Sequence, residues 1–318
     1  MKQGFFSNRK LKLSKNLSVG VLSGGDSSES QISKRSGRAV YQALKRAGYE
    51  ADLLDPAKFR DGLTRVIRKF DVAFVALHGR GGEDGQIQRI LGRAKIPYVG
   101  SDPLGCKYSF DKKISKKIFK RYGIPTPKYR ILSKGESWER LRKFPVPFFV
   151  KPTCEGSSIG AFPVEDLAKS AEKIKRAQRL FGELLIEEKI AGRELTVGVL
   201  GQKALPVIEV RPKRGFYDYK AKYTKGMTEY LVPAPISRCL AQKLQKIALK
   251  THRLLRLRHL SRIDFMVDGK GLVYVLEANA IPGFTELSLL PKAAKLSGLS
   301  FEKLCCTLVE WAHEKRNG

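Results

Sequence analysis

The segment 262–282, RIDFMVDGKGLVYVLEANAIP, constrains the fold of this chain more than any other part of the sequence. Two short apolar runs, residues 263–267 and 272–276, flank the turn sequence Asp-Gly-Lys-Gly. Apolar runs of this length around a Gly-containing turn are typical of two antiparallel strands joined as a β-hairpin. The sequence therefore predicts a hairpin here.

This hairpin carries a cluster of oxygen-bearing side chains. Asp264 lies on the first predicted strand, and Glu277 and Asn279 come just past the second. Glu277 and Asn279 are two residues apart, so their side chains leave the same face. Mg²⁺ prefers oxygen ligands that leave room for phosphates, so the pattern indicates a platform for a Mg²⁺-nucleotide. The alternative is that these residues are ordinary polar ends of a hairpin, although Arg262 adds a cation beside Asp264.

A second candidate site follows the short apolar strand predicted at 148–150. Lys151 leaves this strand and opens the segment KPTCEGSSIG, residues 151–160. A lysine supplies a point charge, and Gly and Ser let backbone N–H groups approach anionic oxygens, as polyphosphate binding requires. The segment matches neither a Walker loop nor a G-x-G-x-x-G turn. A plain Gly/Ser turn is the alternative.

A third candidate site is LIEEKIAGRE, residues 185–194. An apolar strand runs into acidic positions there, and carboxylates could accept hydrogen bonds from an adenine amino group and from ribose hydroxyls. A solvated strand end explains these residues equally well.

Length and element order predict two or three compact units in the 318 residues. Residues 19–93 alternate predicted strands and helices, which indicates a parallel α/β unit with its functional loops at the carboxyl ends of the strands. Residues 1–16 are basic and lack a secretory h-region, so we interpret them as a disordered extension. No apolar run reaches the length that spans a bilayer.

The net charge of +30 raises the hypothesis of nucleic-acid binding. Residues 238–262 hold eight Lys or Arg and no acid, but the basic residues alternate with apolar ones at helical spacing. That pattern predicts an amphipathic helix with a solvated face. The five cysteines form no C-x-x-C motif, and the four histidines lack ligand spacing. We therefore expect a reduced, cytoplasmic protein without zinc and without a specific nucleic-acid partner.

Taken in order, these segments resemble the ATP-grasp superfamily and, within it, the D-alanine–D-alanine ligases. The resemblance covers residues 19–311. The motifs that carry it are GGDSSESQIS at 24–33, ALHGRGGEDG at 76–85, KPTCEGSSIG at 151–160, FYDYKAKY at 216–223, RID at 262–264, EAN at 277–279 and PGFTELSLLP at 282–291.

The resemblance implies an α/β fold: an N-terminal parallel α/β domain over 17–111, then a two-lobed α+β ATP-grasp domain with lobes at 112–193 and 194–318. It implies ATP-dependent ligation of two D-alanines through an acyl phosphate, for peptidoglycan precursor synthesis. It also implies two Mg²⁺ ions, with Mn²⁺ as a possible substitute, and a homodimer, as is common in the family.

The resemblance also assigns roles to individual residues. The implied metal ligands are Asp264, Glu277 and Asn279. The implied ATP-binding residues are Lys112, Lys151, Glu155, Ser157, Ser158, Glu187, Lys189, Ile190, Glu194 and Lys222. The implied substrate-binding residues are Glu29, His78, Lys222, Ser288 and Leu289. The implied catalytic residues are Glu29, Ser157, Tyr223, Arg262, Gly283 and Ser288, with Arg262 and the Gly283 N–H as oxyanion donors and Ser157 and Tyr223 closing a lid with Glu29.

Two alternatives remain at this point. A ligase of the same family could join D-alanine to D-lactate or D-serine, although Tyr223 and Leu289 match the dipeptide-forming type. A catalytically inactive, basic relative that binds nucleic acid is the other alternative. The presence of Lys151, Arg262 and Glu277 argues against it.

Overall fold

The structure is a computed structural model that describes residues 16–59, 62–213, 224 and 226–314. Its first unit is a parallel sheet, as the alternation of strands and helices predicts. The strands are β1 (Ser18–Leu22), β2 (Glu50–Leu54), β3 (Val72–Val75) and β4 (Tyr98–Val99), in the order β2-β1-β3-β4. The helices of this unit are α1 (Ser30–Arg46), α2 (Leu63–Ile67) and α3 (Gln86–Arg93).

Two helices follow this sheet directly. Helix α4 (Pro103–Phe110) was not predicted, and α5 (Lys112–Arg121) follows it directly. Asp111 separates them because its extended backbone ends α4 while its carboxylate accepts hydrogen bonds from the N–H groups of Lys113 and Ile114. An N-cap carboxylate stabilises the first turn of a helix, so α5 begins at a fixed position.

The second unit is an antiparallel sheet with one covering helix. Its strands are β5 (Tyr129–Leu132), β6 (Phe148–Pro152), β7 (Phe162–Val164) and β8 (Leu184–Glu188), in the order β5-β8-β6-β7. Helix α6 (Leu167–Phe181) packs Ile174 and Ala177 against Phe148 and Val150 of β6, in one buried cluster. This cluster fixes β6, which extends to Pro152 because Lys151 and Pro152 still pair with β8, so Lys151 lies on the strand rather than past it.

The third unit is a larger antiparallel sheet. Its strands are β9 (Gly192–Leu200), β10 (Lys203–Ala204), β11 (Ile208–Pro212), β12 (Thr228–Leu231), β13 (Leu260–Asp268) and β14 (Val273–Asn279). The order is β12-β11-β9-β13-β14, with β10 paired to β9. Its helices are α7 (Arg238–Leu254), α8 (Leu289–Leu296) and α9 (Phe301–Glu314). A parallel α/β unit followed by two antiparallel sheets confirms the predicted fold class.

The predicted hairpin is present as β13 and β14, and the structure corrects the end of its second strand and the end of the helix before it. The second strand extends through Asn279, so Glu277 and Asn279 lie on it rather than past it, because Asn279 still pairs with Arg262 across the ladder. The amphipathic helix predicted over 238–262 ends at Leu254. The chain turns through Arg256 and His259, both in the left-handed region, before β13 begins.

The buried cores show how these units share their packing. One core cluster includes Leu22 and Val75 of the parallel sheet together with Val197 of β9 and Val275 of β14. The domain boundaries at 111/112 and 193/194 stay predictions. Among the described residues, no helix is both long enough and apolar enough to cross a membrane.

Candidate active site

One face of the β13–β14 hairpin gathers the predicted metal ligands. Asp264 and Glu277 are directly opposite each other in the ladder. Arg262 forms a two-point ion pair with Asp264, with its Nε 2.8 Å from Oδ1 and an Nη 2.7 Å from Oδ2. The Asn279 amide donates to the same Oδ2 at 3.0 Å, and the Thr196 hydroxyl donates to Oδ1 at 2.6 Å. Asp264 is therefore held rigidly by three elements of one sheet.

This donor set fits a hard divalent cation. Two carboxylates and one amide lie on adjacent strands, and all three can offer oxygen atoms, which Mg²⁺ and Mn²⁺ favour over nitrogen or sulfur. The pairing of Asp264 with Arg262 limits how much of that carboxylate a cation can use. Asp264, Glu277 and Asn279 are therefore the residues that could hold the metal.

Lys112 connects this hairpin to the Gly/Ser loop. Its ammonium nitrogen donates to the backbone carbonyl of Glu155 at 2.5 Å and lies 4.0 Å from a carboxylate oxygen of Glu277. The Glu155 carboxylate is 3.3 Å from Arg80, on the Gly-rich loop after β3. A cation thus sits between the metal-ligand face and the loop that the sequence assigns to phosphate.

The Gly/Ser loop has a backbone suited to binding anions. Ser157 and Ser158 both adopt left-handed conformations, at φ 50° and 60°. Non-glycine residues rarely adopt this region and do so at functional turns more often than elsewhere. A Cβ at Gly156 would lie 2.5 Å from a carboxylate oxygen of Glu29, so a larger residue there would displace that side chain.

Glu29 lies where the N-terminal unit meets this loop. It precedes α1, is only 4% exposed, and accepts a short hydrogen bond from the Ser157 hydroxyl. His78 lies on the neighbouring loop, with its Nε2 3.0 Å from the Ser36 hydroxyl. The Phe284 N–H donates to that same hydroxyl at 3.2 Å. The structure therefore brings Glu29, Ser157 and the 282–291 turn to the same region.

Ser288 and Leu289 have different surroundings in the 282–291 turn. The Ser288 hydroxyl accepts from the Thr285 N–H at 3.0 Å and would be 3.4 Å from a Cβ at Gly283. Leu289 is 8% exposed and belongs to the buried cluster around α8 and α9. Ser288 and Gly283 are therefore adjacent, whereas Leu289 also serves the core. Their substrate roles stay predictions.

The predicted adenine and ribose contacts surround the β8–β9 connection. Glu187 is 1% exposed on β8, whereas Lys189 is exposed and pairs with Glu165 at 2.5 Å. Ile190 lies in the short connection, and Glu194 is on β9 opposite Met266 of β13. Lys222 and Tyr223 lie outside the described residues.

Lys116 is a residue of this site that the sequence analysis missed. Its side chain is fully buried and forms an ion pair with Oε1 of Glu187, while Lys151 lies 2.5 Å from Oε2. Burial acts to raise the pKa of Glu187, but the two ammonium groups outweigh it and hold that pKa below its ordinary value. The signal was present, because Lys112 and Lys116 are four residues apart and share a helix face.

Comparison with known proteins assigns this arrangement to a family. The family model described as "D-ala D-ala ligase C-terminus" matches residues 118–310, and "D-ala D-ala ligase N-terminus" matches residues 55–101. The chain belongs to the D-alanine–D-alanine ligase family. These two matches take in the second and third sheets, together with strands β3 and β4 of the first.

Curated relatives and solved structures agree with the family models. A D-alanine–D-alanine ligase of Aquifex aeolicus is 44% identical over 92% of this chain and 99% of its own length. One of Methylacidiphilum infernorum is 42% identical over 92% of this chain and 94% of its own length. A crystal structure of the Bacillus anthracis D-alanine–D-alanine ligase complexed with ATP superposes with a TM-score of 0.84 at 32% identity, covering 95% of this chain and 99% of that one.

Proposed function

We propose that this protein joins two D-alanines to D-alanyl-D-alanine with ATP, as a step in making the peptidoglycan precursor. The observation that carries the proposal is the convergence of three segments. The hairpin face with Asp264 and Glu277 faces Lys112, and Lys112 binds the backbone of the Gly/Ser loop. That loop in turn reaches Glu29 through Ser157. The groups that we assign to the nucleotide and to the substrate thus lie close together, which supports the proposal.

In the first half-reaction, a carboxylate oxygen of one D-alanine attacks the γ-phosphorus of ATP, and the bond to ADP breaks. Lys112 and Lys151 carry the positive charge that phosphates require. Asp264, Glu277 and Asn279 would hold Mg²⁺, which neutralises phosphate charge when bound. Glu29 supplies a carboxylate that is only 4% exposed, so it suits the ammonium group of the first D-alanine.

In the second half-reaction, the amine of the other D-alanine attacks the carbonyl carbon of the acyl phosphate. A C–N bond forms, the C–O bond to phosphate breaks, and the amine loses a proton. The oxyanion that develops needs preorganised donors. Arg262 is fixed against Asp264 and Gly283 lies in the adjoining turn, so both are suited to this task. Ser288 lies beside Gly283, so it is suited to bind the second carboxylate.

The test is phosphate release from ATP and Mg²⁺ in the presence of D-alanine, with the product identified by mass. We expect release that depends on D-alanine and a product with the mass of the dipeptide. A product that requires D-lactate or D-serine at pH near 7 would instead assign the chain to the other substrate class. No release with any of the three would contradict a ligase function.

The oligomeric state and the cellular compartment belong to the same proposal. The family membership supports a homodimer in the cytoplasm, where ATP and D-alanine are both available. Sedimentation analysis would test the dimer directly, and a monomer at micromolar concentration with full activity would contradict it.

A further inference from the structure

Lys116 is buried completely, and its ammonium group is surrounded by oxygen. Besides Glu187, its nitrogen contacts the Thr126 hydroxyl at 2.5 Å and the Val275 carbonyl at 3.2 Å. The Thr126 hydroxyl itself donates to the Val275 carbonyl at 2.8 Å, so it accepts from Lys116. Three acceptors around one nitrogen match the three donors of a charged ammonium group.

The two oxygens of Glu187 have partners of different accessibility. Oε1 pairs with Lys116, whose side chain is 0% exposed, and Oε2 pairs with Lys151, whose side chain is 19% exposed. Lys151 is therefore the partner that a nucleotide can reach, whereas the pair between Lys116 and Oε1 is sealed in the interior. Lys151 can therefore leave Glu187 for a phosphate group, whereas Lys116 stays paired with it.

We propose that Lys116 is a positioning residue that holds the Glu187 carboxylate ionised and aimed at the adenine amino group while the phosphates of ATP engage Lys151. The proposal rests on the proposed function, in which Glu187 accepts a hydrogen bond from that amino group. It deepens that function by assigning base selectivity to a buried ion pair. Lys116 does not touch the nucleotide itself.

The physical reason is the cost of a buried carboxylate that loses its cation. When phosphate draws Lys151 away, Glu187 would be left in the interior with no counterion unless a second cation remains. An ionised carboxylate only accepts hydrogen bonds, whereas a protonated one can also donate to a 6-oxo group. Lys116 therefore favours a 6-amino purine over a 6-oxo purine.

The other groups near Glu187 do not supply this charge. Tyr129 of β5 and Phe149 of β6 lie directly opposite Glu187 in the sheet. Glu277 and Glu194 act on the two lysines as further negative charges. Burial lowers the pKa of Lys116, an effect that the Glu187 carboxylate opposes. Within the described part of the chain, Lys116 and Lys151 are the cations that contact Glu187.

Lys116 also ties the base pocket to the hairpin. The Val275 carbonyl that it contacts is on β14, two residues before Glu277. The Val275 N–H donates to the Pro125 carbonyl at 2.7 Å, so the same strand is fixed to the second unit from both sides. The contact therefore fixes Lys116, which pairs with Glu187 at the proposed base site, relative to the strand that carries Glu277 at the proposed metal site.

The test compares Lys116→Met with Lys117→Met, an exposed lysine of the same helix, in steady-state assays with ATP and with inosine triphosphate. We expect Lys116→Met to raise KM for ATP by about 10- to 100-fold, as for an unpaired buried polar group. We also expect the ratio of kcat/KM for ATP to that for inosine triphosphate to fall at least about tenfold, with KM for D-alanine unchanged. Lys117→Met should match the wild type in all of these.

A double-mutant cycle with Glu187→Gln separates the two levels of the proposal. If Lys116 acts through Glu187, adding Lys116→Met to Glu187→Gln should change the ATP preference little. Full additivity, or an unchanged ATP preference in Lys116→Met alone, would overturn the role of Lys116. An unchanged preference in Glu187→Gln alone would instead overturn the adenine contact, and the inference with it.

Thr126→Val keeps the test available if Lys116→Met does not fold. It removes one acceptor from the ammonium group while leaving both charges in place. We expect a change in ATP preference in the same direction and of smaller size. A Thr126→Val enzyme with normal thermal stability and wild-type preference would count against the proposal.

Discussion

The hydroxyl of Ser157 donates a hydrogen bond to the carboxylate of Glu29, across 128 residues of sequence. Ser157 belongs to the loop after β6, and Glu29 precedes α1 of the parallel sheet. The bond therefore joins the Gly/Ser loop to the N-terminal unit. It links that loop to the residue that we assign to the first D-alanine.

Ser157→Ala should lower kcat/KM for D-alanine by roughly 10- to 100-fold, because a hydrogen bond to a charged group contributes about 1.5–3 kcal/mol. Steady-state phosphate release at saturating ATP measures this. Ser170→Ala, on α6 of the same unit, is the matched control and should be indistinguishable from the wild type. Wild-type kinetics for Ser157→Ala would show that the contact has no role in catalysis.

Glu277→Gln should abolish ligation while leaving the fold intact, since an amide lacks the charge that a divalent cation requires at this position. Phosphate release with Mg²⁺ or Mn²⁺ measures activity, and circular dichroism checks the fold. Glu229→Gln, on an exposed position of β12, should retain activity. Turnover by Glu277→Gln at ordinary Mg²⁺ concentrations would refute the metal assignment.

Arg262→Lys should lower kcat by about 10²–10³-fold, the loss seen when an oxyanion donor is removed. Lysine cannot reproduce the planar two-point pairing with Asp264. Arg193 provides the control, because it makes a similar two-point pair with Glu209, at 2.9 and 2.7 Å. Arg193→Lys should affect stability but not kcat, and equal losses of kcat in both variants would contradict the prediction.

His252 should make the protein less stable in mild acid. Burial lowers the pKa of this histidine to about 4, from 6.5. Between pH 6.5 and about 4, His252 is protonated in the unfolded chain but not in the folded one. The free energy of unfolding therefore falls as the pH drops through this range. This contribution should cost roughly 2 kcal/mol between pH 7.5 and 5.

Urea unfolding at the two pH values measures the effect. His252→Gln should lose about that much of the pH dependence, whereas His313→Gln on α9 should keep the wild-type dependence. Identical pH dependence in His252→Gln and the wild type would mean that His252 is protonated in the folded state as easily as in the unfolded one.

DNA binding should be weak, independent of sequence and sensitive to salt. A net charge of +30 attracts phosphate backbones through counterion release, which gives no sequence readout. Fluorescence anisotropy with two unrelated duplexes at 50 and 200 mM salt tests this. Tight binding to one duplex only, at the higher salt, would support a dedicated nucleic-acid function.

Much of the site was predictable because its parts are local. The β13–β14 hairpin follows from two apolar runs around a turn, and the loop after Lys151 follows from its Gly and Ser content. The errors have local causes as well. The hairpin strand extends to Asn279 because a cross-strand partner, Arg262, holds it there. Helix α4 was missed because its apolar pattern is weak and its start depends on the cap at Asp102.

The sequence alone determined the alternating strands and helices of the first unit and the hairpin with its carboxylates, since each depends on residues close together in the chain. The order of its motifs determined the family. The tertiary structure decided which distant residues meet. Lys116 looks like any other lysine of a basic helix, and its role arises only because α5 packs against both β8 and β14. The contact of Glu29 with Ser157 likewise requires two sheets to be placed side by side, because hydrogen bonds and ion pairs act only over a few ångströms.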